Sequence, residues 1–261
     1  MNFCDSHIHV GNFERVKKIL NETKFINKYK LYTAIDPMMI NETNTYIKEV
    51  DDFFAMPIIF KEINIEQENE FLKEYCSSLG KGVPVEIINN NSFFNENNKL
   101  PIFKEHFLIN DFNDWQQRTL YYEYLNKKSG YLILHCKDRI RIEYINNLLN
   151  NFPKMNIIIA HLGRDTFETN DFITKVLYEY QHNPNIYFDI STIKDFNNIK
   201  QAFNIIGSNR ILYGSDFPYD FDRNYEIKKL NDLKRIFDSN KDYNNVIGEN
   251  FGRIKAKIYT K

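Results

Sequence analysis

A chain of 261 residues, 43% hydrophobic and 15% aromatic, carries enough apolar mass for one large domain or two small ones. Its 34 Lys and Arg against 35 Asp and Glu give a net charge of −1, which leaves no basic footprint for nucleic acid or an anionic membrane. No apolar run approaches the roughly 18 residues of a membrane helix. Asp5 and His7 interrupt the N-terminal stretch, so no signal peptide is expected. Cys4, Cys76 and Cys136 are odd in number and far apart, so neither a disulfide framework nor a CxxC metal knuckle is expected. Reduced thiols in the cytoplasm are the simplest expectation.

FCDSHIHV (3–10) opens the chain as a strand, followed by the helical pattern FERVKKILNETKFINKY (13–29). LYTAID (31–36) and FFAMPIIF (53–60) read as strands, then ENEFLKEYCSSLG (68–80) as a helix. VPVEII (83–88) and PIFKEHFLI (101–109) read as strands on either side of an Asn-rich loop, NNNSFFNENNK (89–99). Helix RTLYYEYLNKKSG (118–130) leads into strand YLILHC (131–136), and helix IEYINNLLNNF (142–152) into strand NIIIAHL (156–162). NIYFDI (185–190) and RILYGSDF (210–217) are the last strands, before a terminal helix, YNNVIGENFGRIKAKIY (243–259). The patterns at 68–80 and 118–130 each end on a glycine suited to a helix C-terminus.

Strands alternating with helices imply parallel βαβ units, and near-continuous apolar strands imply burial on both faces. With no linker, repeat or break in composition, residues 1–261 read as a single domain, a (β/α)8 TIM barrel with a C-terminal helix. Nine strand candidates exceed the eight of such a barrel. Either 83–88 or 101–109 is therefore expected outside the wall.

Active sites in this fold lie at the C-terminal ends of the strands. His7 and His9 end the first strand, His135 and His161 end two later ones, and Asp216 ends the last. With a side-chain period of two, Asp5, His7 and His9 are expected to share the inward face. A lone histidine at a strand end is more often a hydrogen-bonded core residue than a ligand. Five ionisable groups at the ends of four strands are expected to converge on one axis. Neutral imidazoles with a carboxylate suit a divalent ion such as zinc.

The series DSHIH, LILHC, IIIAHLG and LYGSDFP resembles the metal-dependent amidohydrolase superfamily. The similar branch is the amidohydrolase-related group that includes the aminocarboxymuconate semialdehyde decarboxylases. The resemblance spans nearly the whole chain, GSDFP being its most specific part and GENFGRIKAKIY matching the group's terminal helix. It implies metal ligands His7, His9, His135 and Asp216, with His161 beside the metal acting on substrate or on a second ion. Zinc is the first choice, manganese or iron the alternatives, and one ion is favoured over two.

The chain also departs from the group. HLGRD replaces the usual HxGG, so Arg164 either holds an anionic substrate group as a bidentate fork or pairs with Asp165 at the surface. The fourth-strand pattern GxKxHP is matched by FKEHF, which assigns Lys104 and His106 to substrate binding. A carboxylated Lys104, or Glu86 in GKGVPVE, would bridge a second metal. Lys137, Asp138 and Arg139 read as a solvated helix start, His182 as a surface turn, and Trp115 as either core packing or a specificity loop.

The expected chemistry is hydrolysis of a C–N or C–O bond (amide, ester or lactone) in a small anionic substrate. The ion acidifies water to a pKa of about 7. Asp216 takes the proton and passes it to the leaving group, and the metal and His161 stabilise the oxyanion. Alternatives are a non-oxidative decarboxylase, a tatD-like phosphodiesterase and a metal-binding barrel without turnover. The expected partner is a small-molecule substrate, with no nucleic acid or membrane; self-association as a homodimer is left open.

Overall fold

Apolar residues dominate most of the strand segments, and the resulting sheet is covered on both sides. The computed structural model describes residues 2–12, 14–15, 37–59, 64–88, 94–97, 99–107, 109–135, 142–164, 170–219, 223–237 and 239–260. The strands are β1 (Cys4–Val10), β2 (Asp52–Pro57), β3 (Val83–Pro84), β4 (Glu86–Ile87), β5 (Ile102–His106), β6 (Tyr131–His135), β7 (Asn156–Ile159), β8 (Ile186–Asp189) and β9 (Ile211–Leu212). All pair in parallel, in two ladders ordered β1-β2-β3 and β4-β5-β6-β7-β8-β9.

β3 and β4 are two halves of one strand. The first half pairs with β2, the second with β5, and between them the Val85 N–H donates to Ala55 O at 2.8 Å. At the other join, residues following β9 meet β1 directly: Ser6 N donates to Tyr213 O (2.9 Å), Asp216 N to His7 O (2.7 Å) and His9 N to Phe217 O (2.6 Å). The architecture is a (β/α)8 barrel whose wall has eight strands among the described residues. The expectation that 83–88 or 101–109 lies outside the wall is corrected: both are in it. The ninth candidate, 31–36, and most of the expected helix 13–29 lie outside the described residues.

The helices are α1 (Pro37–Ile47), α2 (Ile65–Leu79), α3 (Thr119–Lys127), α4 (Ile142–Asn151), α5 (Asn170–Glu179), α6 (Phe196–Ile206), α7 (Arg223–Ile236), α8 (Asn240–Asn244) and α9 (Asn250–Tyr259), with a π-helical turn, Asn245–Glu249, between the last two. α2 starts where the Asn64 side chain accepts from Gln67 N and stops at Gly80, whose φ of 65° is the left-handed conformation glycine adopts without cost. α3 stops earlier than its glycine suggested, at Lys128. Gly130 serves close packing instead: a Cβ there would lie 2.4 Å from Pro101 O. No described helix is long and apolar enough to cross a membrane.

Two layers of side chains fill the molecule. The outer one, between wall and helices, takes Phe103, Leu132, Leu134, Ile157 and Ile159 against Tyr122, Tyr144 and Leu148. The inner one takes the alternate residues Phe54, Met56, Ile102, Ile133 and Ile158, with Phe251 and Ile254 of α9 packed against them. The register stacks Ile102 beside Tyr131, Lys104 beside Ile133 and His106 beside His135. Moving toward the strand C-termini, the interior therefore changes from apolar to polar.

β1 does not keep a plain alternation. Its register slips between Asp5, opposite Phe53, and Ile8, opposite Ala55. Such a bulge reverses which face the following residues present. Cys4 lies in the inner layer, Ile8 packs outward with Phe53 and Ala55, and His7 and His9 turn inward. The expectation that Asp5 shares their face is corrected: Asp5 meets Tyr46 of α1 at 2.9 Å on the outer side.

Candidate active site

The polar upper layer brings five of the chain's six histidines together. Their rings form a continuous series: His9–His7 at 5.4 Å between centroids, His7–His161 at 4.9 Å, His161–His135 at 4.5 Å and His135–His106 at 4.4 Å. Burial pushes all five imidazoles well below their ordinary pKa, helped by Lys104 at His7, His9, His106 and His135. They are neutral at physiological pH, as metal coordination and proton acceptance both require.

Two of them are fixed in tautomer. His7 Nδ1 is 2.9 Å from Asp189 Oδ2, and His9 Nδ1 is 2.5 Å from Pro57 O. Both partners can only accept, so each Nδ1 carries the proton and each Nε2 presents a lone pair to the interior. Asp216 Oδ1 lies 3.2 Å from the first Nε2 and 3.4 Å from the second. Asp216 holds a left-handed backbone, φ 66°, and its N–H bonds to His7 O, which turns the carboxylate back over β1.

His161 reaches the cluster by a similar device. It follows β7 (Asn156–Ile159) with φ 55°. Its N–H donates to Asp189 Oδ1 at 3.0 Å, and its Nδ1 contacts Ser191 Oγ at 2.7 Å, leaving Nε2 for the centre. Among the described residues, His7, His161 and Asp216 are the group whose donor atoms lie within 4.8 Å of one another. His135 packs edge-on against His161, and its buried Nδ1 has no hydrogen-bond partner among the described residues.

Lys104 occupies the middle. It is fully buried, with Nζ 2.8 Å from His7 Nε2, 3.1 Å from His9 Nε2 and 3.1 Å from Met56 Sδ. Burial lowers its pKa to about 8, with Asp216 and Asp189 opposing the fall, so it remains mostly cationic at neutral pH. The residue assigned to substrate lies among the metal-binding candidates, deeper than the mouth. His106, two residues on, is at the upper rim against Phe107 and His135. Half-buried Arg164 follows His161, its N–H bonded to His161 O at 2.9 Å, and its charge acts on His135 and His161.

Other candidates fall elsewhere. Glu86 is taken up by Lys73, at 2.9 Å, and by Lys99. Trp115 packs on Phe152 in the outer layer, and His182 is exposed in a turn. Lys137, Asp138, Arg139, Cys136 and Asp165 lie outside the described residues.

Sequence reasoning passed over Asp189. This buried carboxylate ends β8 and accepts from His7 Nδ1, His161 N, Ser191 N and Ser191 Oγ, so it aligns two histidines from different strands. Its signal was available: NIYFDI places it at a strand end, as with the residues that were noticed.

The donor set fits a divalent ion. Two imidazole lone pairs converge on one carboxylate oxygen, a third imidazole lies beside them, and a fourth has a buried nitrogen without a partner among the described residues. A (β/α)8 barrel with imidazoles and a carboxylate at the C-terminal mouth is the architecture of the metal-dependent amidohydrolases. The sequence profile of the amidohydrolase family matches residues 103–250, more than half of the chain, and the chain belongs to that family.

No curated protein matches the sequence. Among solved structures, 5-carboxyvanillate decarboxylase from Sphingomonas paucimobilis aligns with a TM-score of 0.68 at 12% identity, over 97% of this chain and 98% of that one. A zinc-bound amidohydrolase from Burkholderia multivorans aligns at 0.65 and 12% identity, over 98% and 99%. A probable 2-pyrone-4,6-dicarboxylic acid hydrolase from Acinetobacter baumannii, solved with citric acid bound, aligns at 0.65 and 18% identity, over 98% and 100%. At these identities the likeness speaks for the fold.

Proposed function

We propose that this amidohydrolase-family chain is a metal-dependent hydrolase that cleaves a C–N or C–O bond (amide, ester or lactone) in a small anionic substrate. The observation that carries the reading is Asp216, a single carboxylate oxygen within 3.4 Å of two imidazole nitrogens whose lone pairs are held inward. His7, His9 and Asp216 would hold one divalent ion, zinc in the first instance, with His161 the nearest further donor and His135 beyond it. When bound, that ion supplies Lewis acidity and lowers the pKa of water at the site toward neutrality. Asp216 accepts the proton from the attacking water and returns it to the leaving group. His161 donates Nδ1–H to Ser191 Oγ, whose own proton goes to Asp189, so its Nε2 presents a lone pair to the site; on taking a proton there it would steady the negative charge that develops at the reacting carbonyl. Arg164 offers a planar fork to a substrate carboxylate at the mouth, with His106 two strands away on the same rim.

Decarboxylation is the second reading, favoured by the full-length likeness to a carboxyvanillate decarboxylase. The test is a panel of lactones, amides and esters of dicarboxylic acids set against hydroxybenzoates, assayed on metal-loaded protein for new acid and for released CO₂. Turnover with new acid, lost together with metal in the His7→Ala/His9→Ala double variant, supports the hydrolase. CO₂ without hydrolysis assigns the second reading. Turnover that survives removal of the metal would overturn both.

A further inference from the structure

The lone pairs of His7 and His9 are aimed at one point, and a protein side chain is already there. His7 Nδ1 is held by Asp189 and His9 Nδ1 by Pro57 O, so neither ring can offer a proton at Nε2 without breaking a buried hydrogen bond. The Lys104 ammonium fits what remains. It has three N–H donors, and three acceptors surround it: His7 Nε2 at 2.8 Å, His9 Nε2 at 3.1 Å and Met56 Sδ at 3.1 Å. Asp216 Oδ1, close to the same two nitrogens, supplies the counter-charge. Every element of a cation site is present, and the cation is covalently attached to β5.

We propose that Lys104 is the resident cation of the His7–His9–Asp216 site and that a divalent metal binds there only by displacing the Lys104 amine. The proposal rests on the metal-site reading above, but makes a separate claim about this chain. Both ions need the same two lone pairs, and an imidazole Nε2 has one to give. A divalent ion and an ammonium also repel at such short range in a buried site. Their binding is therefore mutually exclusive. The lysine would keep the three ligands assembled, and their charge balanced, in protein that has not yet acquired metal.

The test is zinc titration of the full-length protein after chelator treatment, followed by isothermal calorimetry at one fixed pH. Wild type is compared with Lys104→Met, which keeps length without charge, and with Lys104→Gln. Circular dichroism and the thermal midpoint show whether each variant folds; the two replacements differ in polarity, so the folded one is read if the other fails. The expected result is zinc binding about tenfold tighter or more in the neutral variants, from removal of one like charge. Equal or weaker zinc binding in a folded neutral variant would overturn the proposal, as would an intact mass showing a carboxylated Lys104 in the zinc-loaded wild type. If wild type binds zinc and the variants bind no better, this inference alone fails. If only the neutral variants bind zinc, the inference stands and the metal-dependent function of the wild type fails.

Discussion

Asp189→Asn is an informative single change, because it leaves shape intact and alters one proton. Asp189 Oδ1 faces three donors, the N–H of His161 at 3.0 Å, the N–H of Ser191 at 3.0 Å and Ser191 Oγ. An amide there must keep its oxygen on that side, which turns its NH₂ toward His7 Nδ1. His7 then accepts at Nδ1 and carries its proton at Nε2, so the lone pair aimed into the site is lost. The Nε2 proton would also point at Lys104 Nζ, now 2.8 Å away, setting donor against donor. The lost charge-assisted hydrogen bond costs roughly 1.5–3 kcal/mol, and removing such an outer partner typically costs a metal site about 10–100-fold in affinity. We expect zinc affinity to fall by about that factor and stability to fall by the former amount. Calorimetric zinc titration and urea unfolding measure the two, and imidazole ¹⁵N shifts report the tautomer. Wild-type zinc affinity in a variant that has switched tautomer would refute the reasoning, because it would remove His7 Nε2 from the ligand set.

Two further perturbations address the scaffold. Glu105, on the outer face of β5, is fully buried with Arg118 and accepts from Tyr122 (2.7 Å) and Tyr144 (2.6 Å); Glu105→Gln leaves the guanidinium without its counter-charge and should cost about 3–5 kcal/mol in urea unfolding, whereas a loss below about 1 kcal/mol would show the pair is not sequestered. Burial raises the Asp5 carboxyl from its ordinary 3.8 to about 7, against hydrogen bonds from His7 N, Ser215 N and Tyr46 that lower it. The folded chain therefore holds this proton more tightly than the unfolded chain, so stability falls as pH rises from about 4 to about 7 and levels off above, on the order of 4 kcal/mol in all. Asp5→Asn should abolish that slope, read from urea midpoints across the window; an unchanged slope would place its origin elsewhere.

Much of the architecture was legible because it depends on periodicity. Apolar runs such as YLILHC and NIIIAHL identify wall strands, and their last polar residues identify the mouth, since the interior turns polar only where the strands end. The β1 bulge was not legible. One extra residue reverses the alternation, so a rule of two placed Asp5 beside His7, when its carboxylate belongs to α1 and the outer layer. The resemblance placed His161 beside the metal, but nothing in AHLG announces the left-handed φ of 55° with which its ring reaches the cluster. Glu86 looked able to bridge two metals by position alone; its partners, Lys73 and Lys99, are distant in sequence and give no local sign. Lys104 was visible as an inward residue, but its contact with His7 and His9 depends on β1 and β5 facing each other across the barrel, nearly a hundred residues apart in sequence.

The two ladders of the wall have a consequence for how a damaged chain would behave. His7 and His9 belong to the three-stranded ladder, and His106, His135 and Asp189 to the six-stranded one, while Asp216 sits on the join between them. Neither ladder contains a usable fraction of the site. A chain clipped within its first ten residues would keep the six-stranded ladder whole and its helices attached, with both imidazoles at the centre gone. The buried Cys4, Ile8 and Val10 and the hydrogen bonds from β1 to residues 213–217 would go as well, so stability and ligand binding would fall together. The site therefore acts as a proofreader of assembly: it forms only when the first strand of the chain has met the last.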